Sequence, residues 1–145
     1  MDVYKFKSIS EKYGHPVVDA MKKTDSGVLR DAACGSDFIA RCVGEEFAVG
    51  TVETACRGAY QMGEQIRKIQ EKTAVDRVYD VELRVAVSIG ISSFPEDTKN
   101  AADLVTMSDD ALYHAKRSGR NSVCLRGHID ASGTDALSIR AADVR

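Results

Sequence analysis

The chain has no excess of charge of either sign: twenty Lys and Arg stand against twenty-two Asp and Glu, a formal charge of −2 over 145 residues. With a pI near 5.9, no global basic field exists to hold nucleic acid or an anionic membrane surface, so an anionic ligand must be caught locally. Long hydrophobic runs are also missing. The longest, around Val85-Ala86-Val87, falls far short of the ~20 apolar residues of a membrane helix. The opening Met1-Asp2-Val3-Tyr4-Lys5-Phe6-Lys7 alternates charge with bulk and holds no apolar signal segment, so a cytoplasmic location is expected. The four cysteines include no Cys-x-x-Cys pair, which fits neither a disulfide framework nor a zinc site; buried free thiols are expected. What is present, 43% hydrophobic and 29% charged residues, is the composition of one ordinary globular domain.

Hydrophobic periodicity divides the chain. Pro16 can open a helix, and Val17, Met21, Val28 and Ala32 follow at helical spacing, which predicts a first helix over 16–32 with Lys22, Lys23, Asp25 and Arg30 left for solvent. Two short strand-like runs, Phe38 to Cys42 and Glu46 to Val49, flank Val43-Gly44, the pattern of a tight hairpin. Ala55, Ala59, Met62, Ile66 and Ile69 form the stripe of a second helix. Leu83, Val85, Val87, Ile89 and Ile91 alternate with Arg84, Ala86, Ser88 and Gly90, which predicts one strand with one buried face. Asn100 can cap a third helix lined by Leu104, Ala111, Leu112 and Ala115 and stopped by Gly119; a last strand covers 122–126. Residues 127–145, poor in bulk, read as a flexible tail after a domain spanning 1–126. These elements make an α+β sandwich of helices on a mainly antiparallel sheet. A split βαβ plan needs a strand before the first helix, where only Met1 to Tyr4 are available, so the first strand is expected to be truncated.

Gly44-Glu45-Glu46 sets two carboxylates at the hairpin tip. Neighbouring strand positions point to opposite faces, so both cannot serve one site equally. Taken singly the polar residues are bland: paired glutamates at a turn read as a solvated loop, His15 beside Gly14 as a turn residue, and Lys116 and Arg120 as solvent-facing charges. Phe47 and Tyr113 read as core aromatics, Arg117 and Arg126 as surface. Combined, Asp2 with Glu45 suits a hard cation held by oxygen ligands, and Lys116 with Arg120 four residues on supplies a basic pair. Carboxylates plus a basic pair describe a metal–phosphate site.

In these residues the chain resembles the GGDEF domain of diguanylate cyclases, from Asp2 to about Val123. The family's D-x-D-x-F-K opening is similar to Asp2-Val3-Tyr4-Lys5-Phe6-Lys7, followed by Lys12-Tyr13-Gly14-His15 and Asp19. The signature resembles Val43-Gly44-Glu45-Glu46-Phe47 after Arg41, and the later motifs resemble Val87-Ser88-Ile89-Gly90-Ile91 and Asp109 to Lys116 with Gly119-Arg120-Asn121. The resemblance implies a nucleotide-cyclase-like, ferredoxin-like fold that joins two GTP into cyclic di-GMP and two pyrophosphates in a homodimer, normally under an upstream sensory domain. It implies Mg²⁺, two ions during catalysis, on Asp2, Glu45 and the Val3 carbonyl, and Glu46 beside the metal and the attacking 3′-hydroxyl. It further implies phosphate contacts from Lys116, Arg120 and the backbone near Lys5 to Lys7, and nucleotide contacts from Ser10, His15, Asp19 and Gly44.

Departures from the pattern keep a second reading open, a degenerate domain that binds GTP or a partner and regulates without turnover. Tyr4 stands where the family usually has its second Asp, Ser10 where it has a guanine-contacting Asn, and Lys22 where a Leu often meets the base. Val43 replaces the first glycine; its β-branched side chain disfavours φ > 0, so Gly44 is expected to carry the unusual angle. The product-binding Arg-x-x-Asp reads Cys34-Gly35-Ser36-Asp37, without the arginine. A palm-like polymerase or other cyclase shares the carboxylate hairpin but not the five motifs.

Overall fold

In the computed structural model, residues 1–4, 6–78 and 81–128 are described, with only the backbone for 75–78, 81, 82 and 128. Strand β1 (Asp2–Val3) leads into helices α1 (Phe6–Tyr13) and α2 (His15–Ala32), then the hairpin of β2 (Phe38–Arg41) and β3 (Phe47–Gly50). Helix α3 (Cys56–Lys72), a second hairpin of β4 (Ala74–Val78) and β5 (Val81–Arg84), strand β6 (Val87–Ile91), helix α4 (Ala101–Arg117) and strand β7 (Val123–Leu125) complete the order. A 3₁₀ turn, Arg126–His128, follows. The tail assigned to 127–145 lies outside the described residues from 129 onward.

β1 pairs antiparallel with β6, which pairs parallel with β7. On its other edge, Met1 and Phe47 exchange backbone bonds of 2.9 and 3.0 Å, and Asp2 bridges Glu46. The hairpin thereby continues the sheet in the order β2-β3-β1-β6-β7. The expected short first strand is present as two residues, hydrogen-bonded along both edges.

The two faces of β6 explain the helix placement. A Cβ on Gly90 would lie 2.2 Å from Leu112 N and Ser108 O of α4, whereas a Cβ on Gly63 of α3 would meet Ile91 Cδ1 at 3.3 Å. Gly90 and Ile91 point to opposite faces, so α4 covers one face of the sheet and α3 the other. Val87 and Ile89 join Val3, Val17, Met21, Leu29, Phe47 and Ile66 in the main core. The alternation read as one buried and one open face is therefore large residues on the core side and Ser88 and Gly90 beneath a closely seated helix, with Ser88 itself buried. The single strand expected over 83–91 is divided between β5 and β6; Val85 and Ala86 lie in neither, and Ala86 O accepts from Tyr4 N at 2.9 Å.

The helices follow local rules. Phe6, Ile9 and Tyr13 turn toward the core along α1, a helix the periodicity did not announce. Gly14 at φ 79 separates α1 from α2, with Pro16 in the first turn of α2. Asn100 caps α4 as expected, its side chain accepting from Ala102 N at 3.1 Å. Three side-chain expectations are overturned. Tyr113 is 56% exposed rather than in the core, because the α4 face it shares with Val105 points away from the sheet. The cysteines are free, but only Cys124 is buried, since Cys34 and Cys42 fall in loops outside the sandwich.

Asp25 is the third. It is 1% exposed in the middle of the α2 stripe of Val17, Val18, Met21 and Leu29, where a residue four positions from Met21 and Leu29 must face the core. Its Oδ1 and both amide atoms of the nearby Gln70 make no hydrogen bond of ordinary geometry. Burial raises the Asp25 pKa from 3.8 to about 6, and Gln70 offsets only part of that rise. The folded state thus binds this proton more tightly than the unfolded chain. Its contribution to stability is full below pH 4, is lost as the pH climbs to about 6, and amounts to about 3 kcal/mol. Asp25→Asn is expected to stabilise the protein at near-neutral pH by about 2 kcal/mol more than near pH 4.5, measured by urea denaturation at both. Equal effects at the two pH values would rule out a titrating buried carboxyl.

Candidate active site

The register of β1 decides which side chains meet. Asp2 faces Ser88 across one edge and Glu46 across the other. Residues directly opposite share a face, so Asp2, Glu46 and Ser88 lie on the α4 side, while Val3, between Asp2 and Tyr4, is buried in the core. Two carboxylates directly opposite each other repel, and such a pair needs a cation. Lys116, near the C-terminal end of α4, supplies one: its Nζ is 3.0 Å from Asp2 Oδ2 and 3.8 Å from Glu46 Oε1.

The hairpin tip is built by a turn from Val43 to Glu46, closed by Glu46 N donating to Val43 O at 2.9 Å. Gly44 takes φ 56 and Val43 is not among the residues with positive φ, as the β-branched side chain requires. Gly44 is therefore the first central residue, where type II′ turns favour glycine, and Glu45 the second. That register departs from the hairpin centred on Val43-Gly44, and it sets Glu46 rather than Glu45 opposite Asp2. Glu45 stays half-buried in the turn and makes no ion pair with any described residue. Arg41 Nε donates to Gly44 O at 3.0 Å and braces the tip. Val43 is 75% exposed.

Arg120 approaches β1 from beyond α4, its guanidinium carbon 5.2 Å from the centre of the Tyr4 ring. Of the remaining candidates, Ser10 lies on α1 and His15 and Asp19 on the first turns of α2. Asp19 pairs with Lys22 at 3.2 Å, an exposed contact worth about 1 kcal/mol or less. Lys5 lies outside the described residues.

One network had no counterpart in the sequence, and one residue singled out there has a different role. Arg67 on α3 bonds both Glu64 oxygens at 3.1 and 3.2 Å, Glu71 at 3.3 Å and Asn121 Oδ1 at 3.1 Å, while Asn121 Nδ2 donates to Glu71 at 2.9 Å. The bonds to Glu64 hold the guanidinium pKa above its usual value. This network ties the segment carrying Arg120 to α3. Asp37, in turn, is a loop brace: its oxygens accept from Cys34 N at 2.8 Å and Val52 N at 3.2 Å.

Residues 1–122 match the family described as diguanylate cyclase, GGDEF domain. The chain belongs to the GGDEF family. It is 35% identical over 126 residues to diguanylate cyclase A of Treponema denticola, covering 86% of this chain and 33% of that protein. It is 34% identical over 131 residues to the probable diguanylate cyclase DgcT of Escherichia coli, covering 90% and 29%. The chain thus spans about a third of the length of these curated relatives. Among solved structures, the active GGEEF domain of a diguanylate cyclase from Vibrio cholerae superposes with a TM-score of 0.78 at 29% identity, covering 86% of this chain and 78% of that one. The GGDEF domain of DgcB from Caulobacter crescentus, in complex with c-di-GMP, gives 0.78 at 28%, covering 87% and 74%.

A GGDEF domain uses a divalent metal in general. Asp2 and Glu46 fit such an ion: they are oxygen donors that already share one cation in this chain, the Lys116 ammonium. No group of three or more metal-ligating side chains occurs among the described residues. No described helix is long and apolar enough to cross a membrane.

With Asp37 engaged by backbone and Cys34 in place of arginine, no bidentate fork is available there. Cyclic di-GMP is expected not to bind at this loop, and Asp37→Ala to leave its affinity unchanged while lowering stability by about 1 kcal/mol for the lost loop brace. Calorimetric titration of both proteins checks this; tight binding that vanishes in Asp37→Ala would overturn it.

Proposed function

We propose that this chain is a diguanylate cyclase domain that works as a homodimer, one GTP on each copy, with Mg²⁺ as its metal and an upstream sensory or regulatory domain as its control. The observation that carries this reading is the cluster of Asp2, Glu46 and Lys116, with Arg120 alongside, on the α4 face of the β1 seam. In each half-reaction the 3′-oxygen of one GTP forms a bond to the α-phosphorus of the other. The bond from that phosphorus to the bridging oxygen breaks, pyrophosphate leaves, and the hydroxyl proton is released.

Asp2, Glu46, Glu45 and the Val3 carbonyl would hold the metal. Met1 bonds to Phe47 and Tyr4 to Ala86, so the alternation of ladder bonds turns Val3 C=O toward the hairpin. When bound, the metal offsets negative charge on the phosphates and acidifies the hydroxyl. The chain's own contribution is positioning and charge. Lys116 and Arg120 hold the departing pyrophosphate oxygens, and Gly44 keeps the tip free of a side chain beside the nucleotide. Asp19 accepts from the guanine edge once released from Lys22, with Ser10 and His15 beside it. With GTP as its substrate, the domain would act in the cytoplasm.

Incubation with GTP and Mg²⁺ is expected to yield cyclic di-GMP, resolved by liquid chromatography and mass spectrometry. Glu46→Gln and Lys116→Ala are each expected to lower the rate by about 100-fold or more. GTP binding without product would favour the regulatory reading.

Val43→Gly separates crowding from misfolding. The exposed isopropyl group lies outside the centre of the turn, so removing it is expected to raise turnover or GTP affinity while changing stability by no more than ~1 kcal/mol. A protein left inactive with unchanged GTP binding would move the defect to Ser10, Lys22 or the short first strand.

A further inference from the structure

α4 ends at Arg117, and the chain then passes through Gly119 at φ 109, Arg120 at φ 64 and Asn121 at φ 46. Non-glycine residues persist in the left-handed region only where their surroundings hold them. Here the holding contacts are identifiable. Arg120 N donates to Ala115 O at 3.1 Å, and the Asn121 side chain is gripped by Arg67 and Glu71 on α3. The strain aims the Arg120 side chain back across β1 to the Tyr4 ring.

The match is two-fold. Tyr4 follows Asp2 by two positions, just past the end of β1 with its N–H on Ala86 O; Lys116 lies in the last turn of α4 and Arg120 three residues beyond its end. Lys116 takes Asp2 and Arg120 takes Tyr4. At 5.2 Å the guanidinium is within the range of attraction by a ring face. A ring attracts a cation without neutralising it or using its N–H donors, all five of which remain for an oxyanion. A carboxylate at position 4 would instead form an ion pair with Arg120 and compete with phosphate for the same fork. Arg120 makes no ion pair among the described residues.

We propose that Tyr4 is a positioning residue for phosphate recognition: its ring face holds the Arg120 guanidinium beside the Asp2–Lys116 pair with its charge uncancelled. The proposal rests on the reading that Arg120 contacts nucleotide phosphates. Tyr4 itself touches no reacting atom.

The test is a double-mutant cycle on the full chain, with GTP and inorganic pyrophosphate as titrants in calorimetry and KM and kcat measured in parallel. Tyr4→Phe keeps the ring face and is expected to stay within about twofold of the parent. Tyr4→Leu keeps apolar bulk without the quadrupole and is expected to weaken both titrants about 3- to 30-fold, raising KM more than it lowers kcat. Tyr4→Asp is expected to weaken pyrophosphate further than Tyr4→Leu. In an Arg120→Ala background, Tyr4→Leu is expected to change nothing more.

If Arg120→Ala binds pyrophosphate as the parent does, the phosphate reading of Arg120 fails and the proposal with it. If Arg120→Ala weakens binding but Tyr4→Leu does not, or if the two effects simply add, the positioning role alone fails. A Tyr4→Phe as weak as Tyr4→Leu would transfer the role to the hydroxyl and overturn the ring-face assignment.

Discussion

The structure depends on a strand of two residues. Asp2 and Val3 have both edges hydrogen-bonded and both faces covered: Phe47 and the Ser88–Ala86 stretch at the edges, the main core beneath and the end of α4 above. A side-chain period of two leaves one acceptable register. A slip of one residue would drive the Asp2 carboxylate into the core and expose Val3, so the burial of one apolar side chain fixes where the charged ones gather. The hairpin obeys the same rule, because Phe47 must be buried and its neighbour Glu46 then faces Asp2.

The second constraint is the height of α4 above the sheet. Ser88 and Gly90 leave no bulk under the helix, so its backbone nearly touches β6. Asn100 fixes where the helix begins. About four and a half turns later, at 1.5 Å per residue, Lys116 arrives over β1. A larger side chain at position 90 would lift the helix and withdraw the ammonium from its two carboxylates without altering any residue of the cluster itself.

Much of this was legible in the chain. The three amphipathic helices, the hairpin, the Asn100 cap and the positive φ of Gly44 follow from spacing and from what valine and glycine permit. The family motifs, more than periodicity, singled out Asp2, the glutamates and the basic pair. What escaped had physical reasons. Asp25 is a carboxylate where the stripe requires an apolar residue, and its charge argued for solvent. Helix α1 shows its core face in only three residues of eight. The Arg67–Asn121 contact joins positions 54 apart, a separation at which no local pattern operates. Ser88 and Gly90 looked like an open face because a strand beneath a close helix and a strand beneath water can both carry small residues.

The Lys116 ammonium between Asp2 and Glu46 gives the cluster a counterion of its own making. A free domain can therefore keep two opposed carboxylates in register without a bound ion, since the Lys116 ammonium offsets one of their two negative charges. A cation held between them would take the place of Lys116 rather than fill a bare negative well, and the ammonium would then be free to meet an anion. Uptake of positive and negative partners would be thermodynamically linked, each making room, in charge, for the other.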